Sequence, residues 1–215
     1  MPRKTKKKKP SPASVGQLTA AIANLTVNKP RKRNRRRVKV NNLNSKVLPG
    51  EVVMAREEML CEINIAANAS QGGAGHVDLV PDNFSFLSKL FRAFDRVKWR
   101  KMVISYRPAV GTTFGGLVSY GVDWDFSTSD TYDRKKISGL TPNASHAAWN
   151  DTQARPMVLP AGRLQSREWY MPRSDDYKDK GPGKLLWASK GDKNGVTLGE
   201  LWISYVVVLS GTNPS

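Results

Sequence analysis

Gly199-Glu200-Leu201-Trp202-Ile203-Ser204-Tyr205-Val206-Val207-Val208-Leu209 is the stretch that decides the fold. Leu201, Ile203, Tyr205, Val207 and Leu209 make one row, while Glu200, Trp202, Ser204, Val206 and Val208 make the other. Strict alternation with β-branched and aromatic residues is the signature of a strand that buries one face. The first row is the more continuously apolar one, so it is expected to face a second sheet.

Working outward, the same signal recurs. Gly115–Phe126 alternates Val118, Tyr120, Val122, Trp124 and Phe126 with Leu117, Ser119, Gly121, Asp123 and Asp125. Val97–Arg107 is rich in Val, Ile, Trp and Tyr, and Pro108–Thr113 supplies the turn between these two. Glu51–Ala66 reads as extended, although Ala55–Leu60 is equally compatible with a helical turn. Shorter candidates are Gly75–Val80, Met157–Leu164, Glu168–Pro172 and Lys184–Ser189, separated by Gly-, Pro- and Asn-containing turns. One helix is expected over Asn83–Asp95, where Phe84, Leu87, Leu90, Phe91 and Phe94 fall at helical spacing and Asp82 or Asn83 offers an N-cap. About eight short strands and one connecting helix predict an all-β sandwich or jelly roll over residues 51–215.

Charge divides the chain. Residues 1–50 carry 15 Lys or Arg and no carboxylate, leaving 20 basic and 18 acidic residues for 51–215. The basic set is Arg3, Lys4, Lys6, Lys7, Lys8, Lys9, Lys29, Arg31, Lys32, Arg33, Arg35, Arg36, Arg37 and Lys39, with Lys46 further on. Leu18, Ile22, Leu25 and Val27 are too few to offset about 1–2 kcal/mol of backbone entropy per ordered residue. Residues 1–37 are therefore expected to be a disordered arm; Gln17–Val27 reads as a linker between two charge blocks or as a short amphipathic helix. Val38–Gly50 connects arm to body, as a plain linker or as a switching segment hinged at Pro49-Gly50.

A cationic arm on a near-neutral body points to a nucleic-acid partner. The longest aliphatic run, Val206–Leu209, cannot span a bilayer, Met1-Pro2 excludes N-myristoylation, and no signal peptide is visible, so no membrane partner is expected. Fifteen engaged charges would give a salt dependence with a slope of roughly −10. A basic arm can equally act as a nuclear-entry signal. The single cysteine, Cys61, excludes an internal disulfide and reads as a small core residue. His76 and His146 have no metal-ligand spacing, and neither a Gly-x-Ser-x-Gly elbow nor a P-loop occurs, so no catalytic residues, no required cofactor and no small-molecule substrate are expected. The tryptophans at 99, 124, 169, 187 and 202 sit on alternating segments, where they fill a core or an interface more readily than they stack bases.

The order of these features resembles the shell domain of tombusvirus-like and sobemovirus-like coat proteins of small plant RNA viruses. Val97-Lys98-Trp99-Arg100-Lys101-Met102-Val103-Ile104-Ser105-Tyr106-Arg107-Pro108 is similar to the strand before their central turn, a Trp followed by an aliphatic strand ending in Tyr-x-Pro. Thr112-Thr113-Phe114-Gly115-Gly116-Leu117-Val118 resembles their entry into the next strand, which ends in an Asp-rich loop. The Gly199–Leu209 stretch resembles their final strand; Arg167-Glu168-Trp169-Tyr170 and Gly183-Lys184-Leu185-Leu186-Trp187 fit more loosely.

The resemblance implies an eight-stranded single jelly roll, self-assembly of many copies into an icosahedral-type shell, and packaging of viral single-stranded RNA by the arm. On the order of 180 arms would bring about 2,700 positive charges inside one shell. It implies residence in the virion and in host cytoplasm, and a relative without a protruding domain, such as sobemovirus, luteovirus-, necrovirus- or ourmiavirus-type coats. It also directs attention to Asp123, Asp125 and Asp130 as ligands of a structural calcium between subunits, with Asp175 and Asp176 of a neighbouring copy as partners. Their spacing departs from the usual family pattern, and a solvated acidic turn is the other reading. The competing function is a cellular single-stranded-nucleic-acid binder with an OB-like barrel and a basic tail.

Overall fold

The computed structural model describes residues 48–67, 72–125 and 133–212. Eight strands run in order: β1 (Val52–Ile65), β2 (Gly72–Asp78), β3 (Phe94–Pro108), β4 (Gly116–Asp123), β5 (Asn143–Ala147), β6 (Met157–Val158), β7 (Lys184–Gly191) and β8 (Val196–Thr212). They form two antiparallel four-stranded sheets, β1-β8-β3-β6 and β2-β7-β4-β5. Only β4 and β5 follow each other within one sheet; every other connection crosses between the two. That is the expected jelly roll, and it differs from the five-stranded barrel of an OB fold.

The inner faces are set by alternation. Along β8, Leu201, Ile203, Tyr205, Val207 and Leu209 are all buried, as their continuous apolar row predicts. In β3 the fully buried side chains are Val97 and Trp99, then Met102, Ile104 and Tyr106, a change of parity absorbed by a bulge between Trp99 and Lys101. A bulge between Met59 and Cys61 does the same in β1, so Glu58 before it, Leu60 within it and Ile63 after it are all buried. Phe84, Trp99 and Tyr205 form an aromatic triangle at the centre, with ring centroids 5.4–6.0 Å apart.

The 83–95 segment departs from expectation. A 3₁₀ turn spans Pro81–Asn83, α1 covers only Leu87–Phe91, and Phe94 already belongs to β3. Neither Asp82 nor Asn83 caps the helix; Asn83 instead donates its amide to the Asp78 carbonyl at 2.8 Å. The donors at the helix start are met from across the sandwich, because Glu58 Oε2 accepts the Phe86 N–H at 2.7 Å and the Ser85 hydroxyl at 2.8 Å. Tyr205 donates its hydroxyl to Glu58 Oε1. Burial pushes the Glu58 carboxyl up, but these bonds outweigh it and hold its pKa below the ordinary value. A carboxyl depressed in this way adds stability that is present above its unfolded pKa and lost as the pH falls through the folded one.

Other boundaries moved for local reasons. Three further short helices are α2 (Arg134–Ser138), α3 (Ala161–Leu164) and α4 (Tyr177–Lys180); the strand expected over Met157–Leu164 pairs at two residues only, and Pro160, which has no N–H to give, is the N-cap of α3. Glu168–Pro172 is not a strand; Tyr170 alone bridges to Val97. β4 stops at Asp123 rather than at 126. β5 was unforeseen, since Asn143-Ala144-Ser145-His146-Ala147 has no β-branched or aromatic residue and lies at a sheet edge.

Candidate functional site

The proposed phosphate-binding residues, Arg3, Lys4, Lys6 to Lys9, Lys29, Arg31 to Arg33, Arg35 to Arg37 and Lys39, lie outside the described residues, as does most of the 38–50 connection. Its last residues are described. Pro49 and Gly50 form a tight turn closed by the Glu51 N–H donating to the Leu48 carbonyl at 3.0 Å. Gly50 has φ +86°, a left-handed conformation that suits glycine, and Glu51 Oε2 accepts the Leu48 N–H at 3.1 Å. The point expected as a hinge is thus a turn bonded on both sides.

Asp123 ends β4, Asp125 follows it two residues on, and Asp130 lies outside the described residues. Asp123 is 8% exposed, its Oδ1 accepts the Asp125 N–H at 3.1 Å, and its cross-strand neighbour on β7 is the buried Lys184. Asp176 Oδ1 caps α4 through the Lys178 N–H at 3.0 Å. Among the described residues no three His, Cys, Asp or Glu side chains come close enough to hold a metal ion. Among the described residues, then, Asp123 and Asp125 are not joined by a third carboxylate, and calcium takes six to eight oxygens.

The remaining reactive side chains sit in packing roles. Burial pushes the Cys61 thiol up to about 12, which keeps it protonated. His146 faces inward from β5 with its ring 4.8 Å from Tyr106 and 5.6 Å from Tyr120. Its Nδ1–H donates to the Ala147 carbonyl at 2.9 Å, and its Nε2 is buried without a hydrogen-bond partner among the described residues. Burial holds its pKa below the ordinary value. Among the described residues no helix is long and apolar enough to cross a membrane.

Of the tryptophans, Trp99 is fully buried, and Trp124 and Trp187 pack against the core. Trp202 lies on the outer face of the β1-β8-β3-β6 sheet, with the Arg107 guanidinium 3.8 Å above its ring and its Nε1–H donating to Glu200 at 2.7 Å. Arg107 also bridges to Glu57 at 2.8 Å. Sequence reasoning missed this cluster because its members come from three strands whose register only the fold supplies. It missed Glu58 as well, although an acidic residue in phase with Leu60 was the available signal.

The comparisons agree with the architecture. Residues 19–215 match the family model described as viral coat protein (S domain). The capsid protein of Tomato bushy stunt virus (strain BS-3) is 26% identical over 172 residues, which is 77% of this chain and 43% of the relative. The capsid protein of Carnation mottle virus (isolate China/Shanghai) is 28% identical over 163 residues, 74% of this chain and 45% of the relative. The chain thus spans less than half the length of these curated relatives. Among solved structures, that of tobacco necrosis virus superposes with a TM-score of 0.67 at 16% identity, covering 76% of this chain and 97% of that one. Cocksfoot mottle virus gives 0.62 at 14% identity, covering 76% and 96%. With the family model spanning nearly the whole chain and the same two-sheet body in these neighbours, the protein belongs to the viral coat protein S-domain family.

Proposed function

We propose that this chain is a shell-forming coat protein whose body assembles with many copies of itself and whose arm packages viral single-stranded RNA. The observation that carries this reading is the segregation of charge in a family member: 15 basic residues and no carboxylate precede Glu51, while the jelly roll that follows is nearly balanced. Such an arm neutralises phosphates without reading bases, which suits a long genome of arbitrary sequence. The virion is its place of work, with host cytoplasm, and nuclear entry through the same basic runs, before assembly. No enzymatic turnover is expected from it.

Deleting residues 1–37 tests the role of the arm. The hydrophobic core of the described residues runs from Leu60 to Leu209, so the shortened protein is expected to keep its cooperative melting. It loses 13 basic residues, and the slope of log affinity against log salt for an unstructured RNA shrinks by about 9, at about 0.7 per contact on a single strand. An unchanged slope in a folded deletion would remove the arm from RNA binding.

The calcium reading takes Asp123, Asp125 and Asp130 as ligands of an ion between subunits, completed by oxygens of a neighbouring copy in the assembled particle. Particles carrying Asp123→Asn, Asp125→Asn and Asp130→Asn are expected to ignore a calcium chelator that swells the parent at neutral pH. Parent particles whose sedimentation does not change with chelator would rule the ion out.

A further inference from the structure

The body's own charge is unevenly placed. Residues 84–101 hold six basic residues and one acidic residue, whereas the rest of the 51–215 body holds 14 and 17. Arg96, Lys98 and Lys101 of this run project from the outer face of β3, opposite the buried Val97, Trp99 and Met102. Across the sheet they meet Ser210, Val208 and Val206 of β8, and beyond these Val53 and Ala55 of β1. No carboxylate of β8 or β1 lies opposite them, and among the described residues neither Arg96 nor Lys101 is in an ion pair.

A groove of about 610 Å³ opens at this end of the sheet, lined by Leu48, Lys98, Arg100, Gln165, Trp169 and Val208. Its two carboxylates are already engaged: Glu51 with the Leu48 N–H at 3.1 Å, and Glu168 with Lys98 at 3.3 Å. The Glu168 side chain is 76% exposed, so that ion pair is weak and readily exchanged for a phosphate. Trp169 is held beside the groove because the next residue, Tyr170, exchanges two backbone hydrogen bonds with Val97, at 2.8 and 3.0 Å. The Lys98 ammonium lies 5.6 Å from the Trp169 ring centroid. Cations interleaved with a half-exposed aromatic ring form the surface that binds single-stranded nucleic acid by phosphate contact and base stacking. Leu48 lies on the groove wall, and in the covalent chain it stands nine residues after Lys39. RNA held by the arm is therefore presented to this groove at high effective concentration.

We propose that the jelly roll carries a second, folded RNA site, in which Arg96, Lys98, Arg100 and Lys101 hold phosphates and Trp169 stacks a base. The proposal rests on the RNA-packaging reading and extends it from the arm to the body. The test measures the salt slope of full-length protein on an oligouridylate. Converting Arg96, Lys98, Arg100 and Lys101 to Gln is expected to reduce the slope by about 3, at about 0.7 per phosphate. A control of equal charge, with Lys135, Arg155, Lys190 and Lys193 converted to Gln, is expected to leave it unchanged. If the fourfold variant does not melt like the parent, Arg96→Gln with Lys101→Gln is used instead, with an expected loss of about 1.4. Photocrosslinking with a 4-thiouridine oligonucleotide should mark the Trp169 segment in addition to the arm. Equal slope losses in both charge sets, no loss in either, or crosslinks confined to the arm would each overturn the site while leaving arm binding intact. A parent protein that binds no RNA defeats the packaging reading itself.

Discussion

Tyr205→Asp abolishes the cooperative thermal transition of the body, measured on protein lacking residues 1–37 so that no shell or RNA contributes. Tyr205 is 2% exposed and packs edge-on to Phe84 at 5.4 Å and Trp99 at 6.0 Å. Truncating a buried aromatic costs about 3–5 kcal/mol through lost transfer and the cavity left behind. The new carboxylate would also sit in the space where the Tyr205 hydroxyl now donates to Glu58, placing two acids together in the core. One of them must take up a proton or remain uncompensated, which adds several kcal/mol. Together these losses approach the roughly 5–15 kcal/mol that holds an ordinary domain folded. Tyr205→Phe is the informative companion. It keeps the ring and removes one donor, while Glu58 retains Ser85 and the Phe86 N–H, so a loss of about 1–3 kcal/mol is expected. A Tyr205→Asp body that melts like the parent would mean that this face of β8 is not in the core.

Gly199→Ala is expected to lower the melting temperature of the same body by about 6–12 °C, equivalent to about 3 kcal/mol. Gly199 sits in the middle of the β1-β8-β3 array, aligned with Ile63 on one side and Pro108 on the other. A Cβ there would lie 2.3 Å from the Arg107 carbonyl oxygen and 2.6 Å from the Tyr106 ring and hydroxyl. The first is backbone of β3 paired in register with β8, and the ring is fixed because Tyr106 Oη is within 2.7 Å of the Ala148 carbonyl and 2.8 Å of the Leu198 carbonyl. Neither can retreat cheaply. Gly162→Ala serves as the reference, since nothing lies within 4 Å of its Cβ and α3 tolerates the change. Equal melting of the two variants would show that Tyr106 does not need a glycine beneath it.

These two residues also show what was legible beforehand. Tyr205 could be placed on the inner face from sequence, because an uninterrupted apolar row at period two has one physical explanation. Gly199 and the Tyr-x-Pro of β3 could be noticed as features of the resembling coat proteins, but not that one covers the other, since their contact depends on register between strands about 90 residues apart. The helix at 83–95 was overdrawn because Phe84 and Phe94 share its periodicity while belonging to a turn and to β3. Its cap came from Glu58, a long-range acceptor that no local pattern signals. β5 escaped because an edge strand needs only one neighbour, and it can be built from Asn, Ala, Ser and His. The segregation of charge into residues 1–50 is visible in composition alone, whereas the setting of Asp123 is not, because its neighbour Lys184 comes from a strand about 60 residues further along the chain.

The placement of β8 between β1 and β3 has a consequence for synthesis. Until residues 196–212 emerge, β1 and β3 have no common neighbour, and the inner face of that sheet lacks its central row. At about 5–20 residues per second, a ribosome needs roughly 7–30 s to travel from the end of β1 to the start of β8. Throughout that interval the basic arm is already outside while the body is still unable to close. A nascent chain can therefore meet a polyanion well before it can meet another subunit, and the order of those two encounters is written into the strand order.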